Sequence, residues 1–172
     1  MSTVPGWEGI LDEDENIMWQ GRPDTRIAFR WANMFLVGFG LFFSAFALLW
    51  MIMAAQAGGI FWMFGLLHFG VGVSIVTGAI YADAWRRRHT WYTLTDKRAF
   101  VATDIPFKGK KLDDYDINAS TRISFVEGPP DSIHFTTRKG ANNTRRPTGF
   151  DRIEGGKEVY RMMRDIQRTA PD

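Results

Sequence analysis

Hydrophobic and polar positions divide the chain into three stretches of different character. Residues 1–30 are polar and carry one acidic run, Asp12-Glu13-Asp14-Glu15. The next 52 positions, 31–82, contain no Asp, Glu, Lys or Arg. Charge returns at residue 83, and from His89 onward apolar residues alternate with polar ones. Alternation predicts strands, whereas an uncharged run of that length predicts helices that need no wet face.

The uncharged run divides at Gln56-Ala57-Gly58-Gly59, which predicts one helix over 33–55 and a second over 60–81. About 22 residues at 1.5 Å each give roughly 33 Å, enough to cross a hydrocarbon core of about 30 Å. The linker is too short for anything but an antiparallel hairpin. Arg22, Arg26 and Arg30 precede it, Arg86, Arg87 and Arg88 follow it, and its turn is uncharged. The positive-inside rule then predicts a two-helix integral protein of the cell (inner) membrane with both termini cytoplasmic. Trp31, Trp50, Trp62, Tyr81, Trp85 and Trp91 fall at or near the expected interfaces. A buried hairpin in a soluble protein is the alternative that this length disfavours.

Small residues recur four apart: Gly40 and Ser44 on the first helix, and Gly70, Ser74 and Gly78 on the second. Such stripes let backbones approach closely in lipid. They suit packing of the hairpin on itself, or docking on a second copy or another membrane protein. His68 is the one ionisable side chain in the run. No carboxylate lies at its depth to make a proton relay, and a backbone carbonyl would satisfy a neutral imidazole.

After the membrane run, 91–94 and 98–103 read as strands around a tight turn at Thr95-Asp96-Lys97. Further strands are expected near 110–116, 122–127 and 132–137, the last with Ile133 and Phe135 inward and Ser132, His134 and Thr136 outward. Gly128-Pro129-Pro130-Asp131 is a turn, and 138–146 reads as a polar loop. Beyond Gly155-Gly156, residues Val159, Met162, Met163 and Ile166 make one apolar helix stripe. The expected fold is α+β: a membrane hairpin at 31–82, then a domain at 83–172 of antiparallel strands capped by one helix. Residues 16–20 of the N-terminal segment can add an edge strand if both termini share one side.

Charge sharpens this division. The net +2 combines −3 over residues 1–30 with +5 over 83–172. There is no Cys, so no disulfide and no thiolate chemistry, and no cleavable signal peptide is expected. Phosphate-binding loops, nucleophile elbows and metal-ligand spacings are missing, so neither catalysis, cofactor nor metal is expected. Asp12–Glu15 reads as a solvated acidic segment, and Asp114 and Asp116 as exposed. The basic residues are the better candidates. Arg26, Arg30, Arg86, Arg87 and Arg88 flank the hairpin; Lys108, Lys110 and Lys111 form a second cluster; Arg138, Lys139, Arg145 and Arg146 form a third. Each could meet anionic lipid headgroups or an acidic partner, although topology alone accounts for the first group. Nucleic acid is excluded, because acids are interleaved and no aromatic stacking face accompanies the basic residues.

Two short motifs flank the hairpin. Glu15, Trp19, Gly21, Arg22 and Pro23 precede it, and Tyr92, Leu94, Thr95 and Arg98 follow it. With the hairpin between them, the chain resembles the bacterial pleckstrin-homology (PH)-like membrane proteins. That resemblance implies a bent sheet of about seven strands closed at one end by a helix, and a family read as binding or assembly modules with no established catalysis. In eukaryotic PH domains that bind inositol phosphates, a long basic loop joins the first two strands. Here that loop is expected to be Thr95-Asp96-Lys97, which argues against a phosphoinositide pocket. The functional expectation is a non-enzymatic binding module held on the cytoplasmic face. The alternative is an accessory or assembly subunit of a larger membrane complex.

Overall fold

The computed structural model describes residues 6–28, 31–139 and 145–170. Its elements are β1 (Ile17–Gly21), α1 (Met34–Gln56), α2 (Phe64–Arg88), β2 (Thr90–Thr95), β3 (Arg98–Ile105), β4 (Gly109–Asp116), β5 (Ser124–Val126), β6 (Asp131–Lys139), β7 (Arg145–Ile153) and α3 (Gly156–Thr169). A single 3-10 turn precedes each of the two long helices. The class is α+β, with two long apolar helices and two antiparallel sheets.

The chain falls into two compact units. One is the helix pair, 25–86; the other joins residues on both sides of it, 6–24 and 87–170. The β domain therefore does not begin at residue 83. It starts before the helices, is interrupted by them, and resumes.

Within the helix pair, both helices are long and apolar enough to cross a membrane, yet only 17% and 11% of their most apolar windows are buried. A core helix of a soluble protein would show the opposite. The helices touch along a seam of small residues. Gly40, Ser44 and Ala47 are buried on α1; Gly72 of α2 faces Gly40 and Ser44, and Gly65 faces Trp50 and Met51. A Cβ on Gly72 would lie 2.2 Å from Ser44 Oγ and 3.0 Å from Gly40 O; one on Gly40 would lie 2.9 Å from Gly72 O. Only glycine permits that approach. At the far end of the seam Asn33 Nδ2 donates to Ala79 O at 2.6 Å.

Gly70, Ser74 and Gly78 are not part of this seam. All three are exposed, with open space around both glycines, and the Ser74 hydroxyl donates to Gly70 O of its own helix. The partner of Gly40 and Ser44 is Gly72, about 200° around the helix from Gly70 at 100° per residue. Helix α2 also runs seven residues past the expected end at Tyr81, through Arg88. Loss of apolar character ends a membrane run but does not end a helix. Ala82–Arg88 contains good helix formers and no Gly or Pro.

Seven strands are present among the described residues, in sheets ordered β1-β2-β3-β4 and β5-β6-β7. β1 is the edge strand, antiparallel to β2, with Trp19 opposite Leu94 and Gly21 opposite Tyr92. The connection between the first two strands is therefore the whole helix pair, and Thr95-Asp96-Lys97 joins the second strand to the third. The stretch 138–146 is likewise not simply a loop. β6 runs to Lys139 and β7 starts at Arg145, with Arg138 opposite Arg146 and Lys139 opposite Arg145. Pro147 and Gly149 hide this strand in the sequence. Pro147 is tolerated because β7 is an edge strand. Gly149 is required because any Cβ would lie 1.9 Å from Ile133 O, where the β6–β7 register shifts.

The core lies between the sheets and α3. Tyr92, Leu94, Ala99, Ile133, Phe135, Phe150 and Ile153 meet Val159, Met163 and Ile166. Ile133 and Phe135 point inward as their alternation predicts. Gln167 ties α3 down by donating to the carbonyls of Asn118 and Thr121 at 3.0 and 2.6 Å.

Gly72→Val should wedge the two helices apart, at a cost of about 1–3 kcal/mol for overpacking. Gly70→Val should be nearly neutral, since it enters open space. Thermal unfolding of the full chain in detergent separates the two outcomes.

Candidate functional site

The two motifs that flank the helices meet in the β domain. Glu15 is completely buried at its side chain. It accepts from Thr95 Oγ1 at 2.6 Å, from Arg98 Nε at 3.2 Å and Nη2, and from the Asp12 backbone amide at 3.0 Å. Burial alone would raise its pKa. The hydrogen bonds from Arg98, Thr95 and the Asp12 amide, with the Arg98 charge, outweigh that and hold the carboxyl below its ordinary value of 4.5. Arg98 is raised in turn, chiefly by Glu15, and its guanidinium also lies over the Phe100 ring and reaches Asp114 at 3.3 Å.

The remaining motif residues make the same crossing. Trp19 packs on Phe150 at 5.4 Å, and Tyr92 packs on the same ring at 4.9 Å. Gly21 lies two residues on from Trp19 and shares its face, and a Cβ there would strike the indole at 2.2 Å. Arg22 places its guanidinium 4.9 Å over the Trp91 ring. Pro23 is buried. The motifs are thus structural: they hold β1, made before the helices, onto β2, made after them.

The sheet face opposite the core carries the candidate site. Strand register places Gln20 and Arg22, Trp91 and Thr93, Ala102 and Asp104, and Lys110 and Leu112 on this one face. They line a groove of about 740 Å³, walled by Trp7 and Ile10 of the N-terminal segment. Trp7 is anchored edge-on to Phe100 at 5.2 Å. The groove lies at the end of the sheet where the chain leaves β1 for the helices and returns into β2. Its lining combines the Trp91 and Trp7 rings with the cationic Arg22, Lys110 and Lys111 and the Asp104 carboxylate.

The basic candidates separate on this frame. Three consecutive arginines on a continuing helix fan out over about 200° and cannot share one role. Arg87 is buried in the β domain and its Nε donates to Asp24 O at 2.8 Å. Arg86 pairs with Asp83 at 3.0 Å, while Arg88 is exposed. Arg26 is exposed ahead of α1, and Arg30 lies outside the described residues. Lys108 and Lys110 are exposed at the β3–β4 turn, and among the described residues neither makes an ion pair; Lys111 is held by Asp113. For Arg138, Lys139, Arg145 and Arg146 the described backbone places all four at the tip of the β6–β7 hairpin. Trp91, expected at the membrane interface, belongs to β2 and the groove floor.

Three residues needed the structure to be found. Arg152 pairs with Asp24 at 2.8 Å and closes the N-terminal segment onto β7. Trp7 walls the groove from a stretch that carries no strand or helix signal. Phe107, fully exposed at the β3–β4 turn, stands out in sequence only as an aromatic between Pro106 and Lys108.

The histidines do not converge. His68 Nδ1 contacts Phe64 O at 3.3 Å, one turn back on its own helix, and its ring lies among Phe43 and Phe64. His134 Nε2 meets Asp151 Oδ1 at 3.1 Å on the outer face of β6–β7. Among the described residues no group of three His, Cys, Asp or Glu could hold a metal ion.

Glu15→Gln should destabilise the chain by about 1–3 kcal/mol, because it removes the buried carboxylate from Arg98 and leaves the guanidinium only its exposed partners Asp12 and Asp114. The lowered carboxyl contributes stability that is fully present above pH 4.5 and is lost as pH falls through its folded-state value. Urea midpoints across acid pH should therefore fall for the parent chain and fall less for Glu15→Gln. No family model, curated protein or solved structure matches this chain, so its own residues and geometry carry the functional reading.

Proposed function

We propose that this protein is a non-enzymatic, membrane-anchored interaction module with a PH-like cytoplasmic domain. One observation carries the reading: two long apolar helices with mostly exposed surfaces interrupt two adjacent strands of a single sheet. Pairing of β1 with β2 brings Gly21 opposite Tyr92, so the helix pair leaves and re-enters the domain at one place. A chain inserted that way into a bilayer must cross an even number of times, which supports both termini on one side independently of the arginine count. Seven strands in a four-plus-three arrangement with a C-terminal helix support the PH-like reading. The groove with its Arg22–Trp91 floor and lysine rim is the contact surface for lipid headgroups or a partner at the membrane. Tethering keeps a weak contact populated by removing the search through bulk solvent.

Two experiments test this. The full chain should remain in the pellet after alkaline carbonate washing of membranes; release into the supernatant would refute the anchor. Excising 25–86 and joining Asp24 to Arg87 through a short Gly/Ser linker should give a soluble, cooperatively folding domain. The fragment 87–172 should be far less stable, because it lacks β1 and the Glu15 partner of Arg98.

A second reading, an accessory or assembly subunit, is favoured by the unused face of α2. Gly70 and Ser74 line a shallow groove with Leu66, Leu67, Val71 and Ile75. Small residues on a free face admit another transmembrane helix closely. Replacing Gly70, Ser74 and Gly78 with Leu should abolish a co-purifying membrane partner on that reading and leave function unchanged on the first.

A further inference from the structure

We propose that the β3–β4 turn is a lipid-dipping finger, in which Phe107 enters the headgroup–acyl boundary while Lys108 and Lys110 meet anionic headgroups. The inference rests on the membrane reading above and adds a second, peripheral point of attachment.

The turn breaks a local rule. Lys108 N donates to Ile105 O at 3.0 Å, which closes a β-turn with Pro106 and Phe107 at its centre. Phe107 has φ +68°, so it occupies the position that favours glycine when proline precedes it. A bulky aromatic is disfavoured there and normally has to be held by packing. Phe107 has no such packing, since its side chain is fully exposed. The fold gains nothing from an aromatic at this site. Such a departure from local preference is expected where a residue serves something outside the fold.

Position names the occupant. The antiparallel register puts this turn at the sheet end where α2 hands the chain to β2. Asp104 N donates to His89 O at 2.9 Å, so the turn starts beside the first residue after α2. On the membrane reading, chain connectivity tethers this end of the sheet to the bilayer. Composition agrees, because an aromatic beside exposed lysines is the chemistry of an interfacial anchor on an anionic leaflet. Lys108 and Lys110 make no ion pair among the described residues, so their charges are available to headgroups.

The chain has no cysteine, so a single probe can be placed cleanly. Phe107→Cys, labelled with a polarity-sensitive dye, would be reconstituted as full chain in nanodiscs of phosphatidylcholine with or without phosphatidylglycerol. Lys97→Cys, on the β2–β3 turn at the opposite sheet end, is the control. The expected result is blue-shifted emission at position 107, quenched by nitroxide on upper acyl chains, stronger with phosphatidylglycerol, and absent at position 97. A second variant guards against misfolding. Phe107→Gly suits the left-handed turn and should keep the fold, yet a dye on Lys108→Cys in that background should lose its lipid quenching. Aqueous emission at 107 in incorporated protein would overturn the finger while leaving the anchor intact. Blue-shifted emission without lipid quenching would mean protein contact and also overturn it. Failure of the chain to incorporate would instead refute the membrane reading itself.

Discussion

The β domain depends on one buried pairing made across the helix pair. Glu15 lies ahead of the helices, and Thr95 and Arg98 lie after them, 80 and 83 residues along the chain. A carboxylate removed from water needs compensation on every lone pair, and this one finds it in a guanidinium, a hydroxyl and a backbone amide. The contact fixes β1 on β2. It therefore fixes the entry and exit of the helices side by side. Closing so long a loop is entropically unfavourable, although the cost grows only slowly with length. An apolar helical hairpin lowers it further by bringing its own ends together through the Gly40–Gly72 seam.

That constraint organises the functional surface. Because the helices enter at one end of the four-stranded sheet, the Arg22–Trp91 groove and the Phe107 turn share that end. The opposite end, at Thr95–Lys97, carries the ion-paired network around Arg98 and Asp12. The domain thus separates a charge-compensated end from an end where Lys108 and Lys110 make no ion pair among the described residues and Phe107 is uncovered. Such polarity suits a module oriented toward a charged surface. The proposed role needs no catalytic group, and the dispersal of His68 and His134 over different units is compatible with it.

The motif residues that flank the helices have physical duties that the structure makes visible. Glu15, Trp19, Gly21 and Arg22 each contact a residue that follows the helices. Their spacing is set by strand geometry. Trp19 and Gly21 share a face, so the glycine makes room for the indole. The outward Arg22 reaches the Trp91 ring, which stands beside it across the β1–β2 pair. Glu15, Trp19 and Gly21 are explained by cohesion of the fold, while Arg22 also lines the groove beside residues that no motif marks.

The sequence by itself determined what composition and local period can determine. An uncharged run predicts two long apolar helices because lipid tolerates what water does not, and alternation predicts β2, β3 and β6 with Ile133 and Phe135 inward. Only tertiary structure decided which distant segments pair. β7 was hidden because Pro147 and Gly149 look like loop residues until an edge position and a close backbone approach explain them. The seam chose Gly72 over Gly70, Ser74 and Gly78 because helix rotation is set by both helices together, not by the spacing of small residues on one. Arg87 turned inward and Arg88 outward because the helix continued past the apolar run. The exposed Phe107 was legible as a letter but not as an exception, since its left-handed backbone and empty surroundings exist only once the turn is folded.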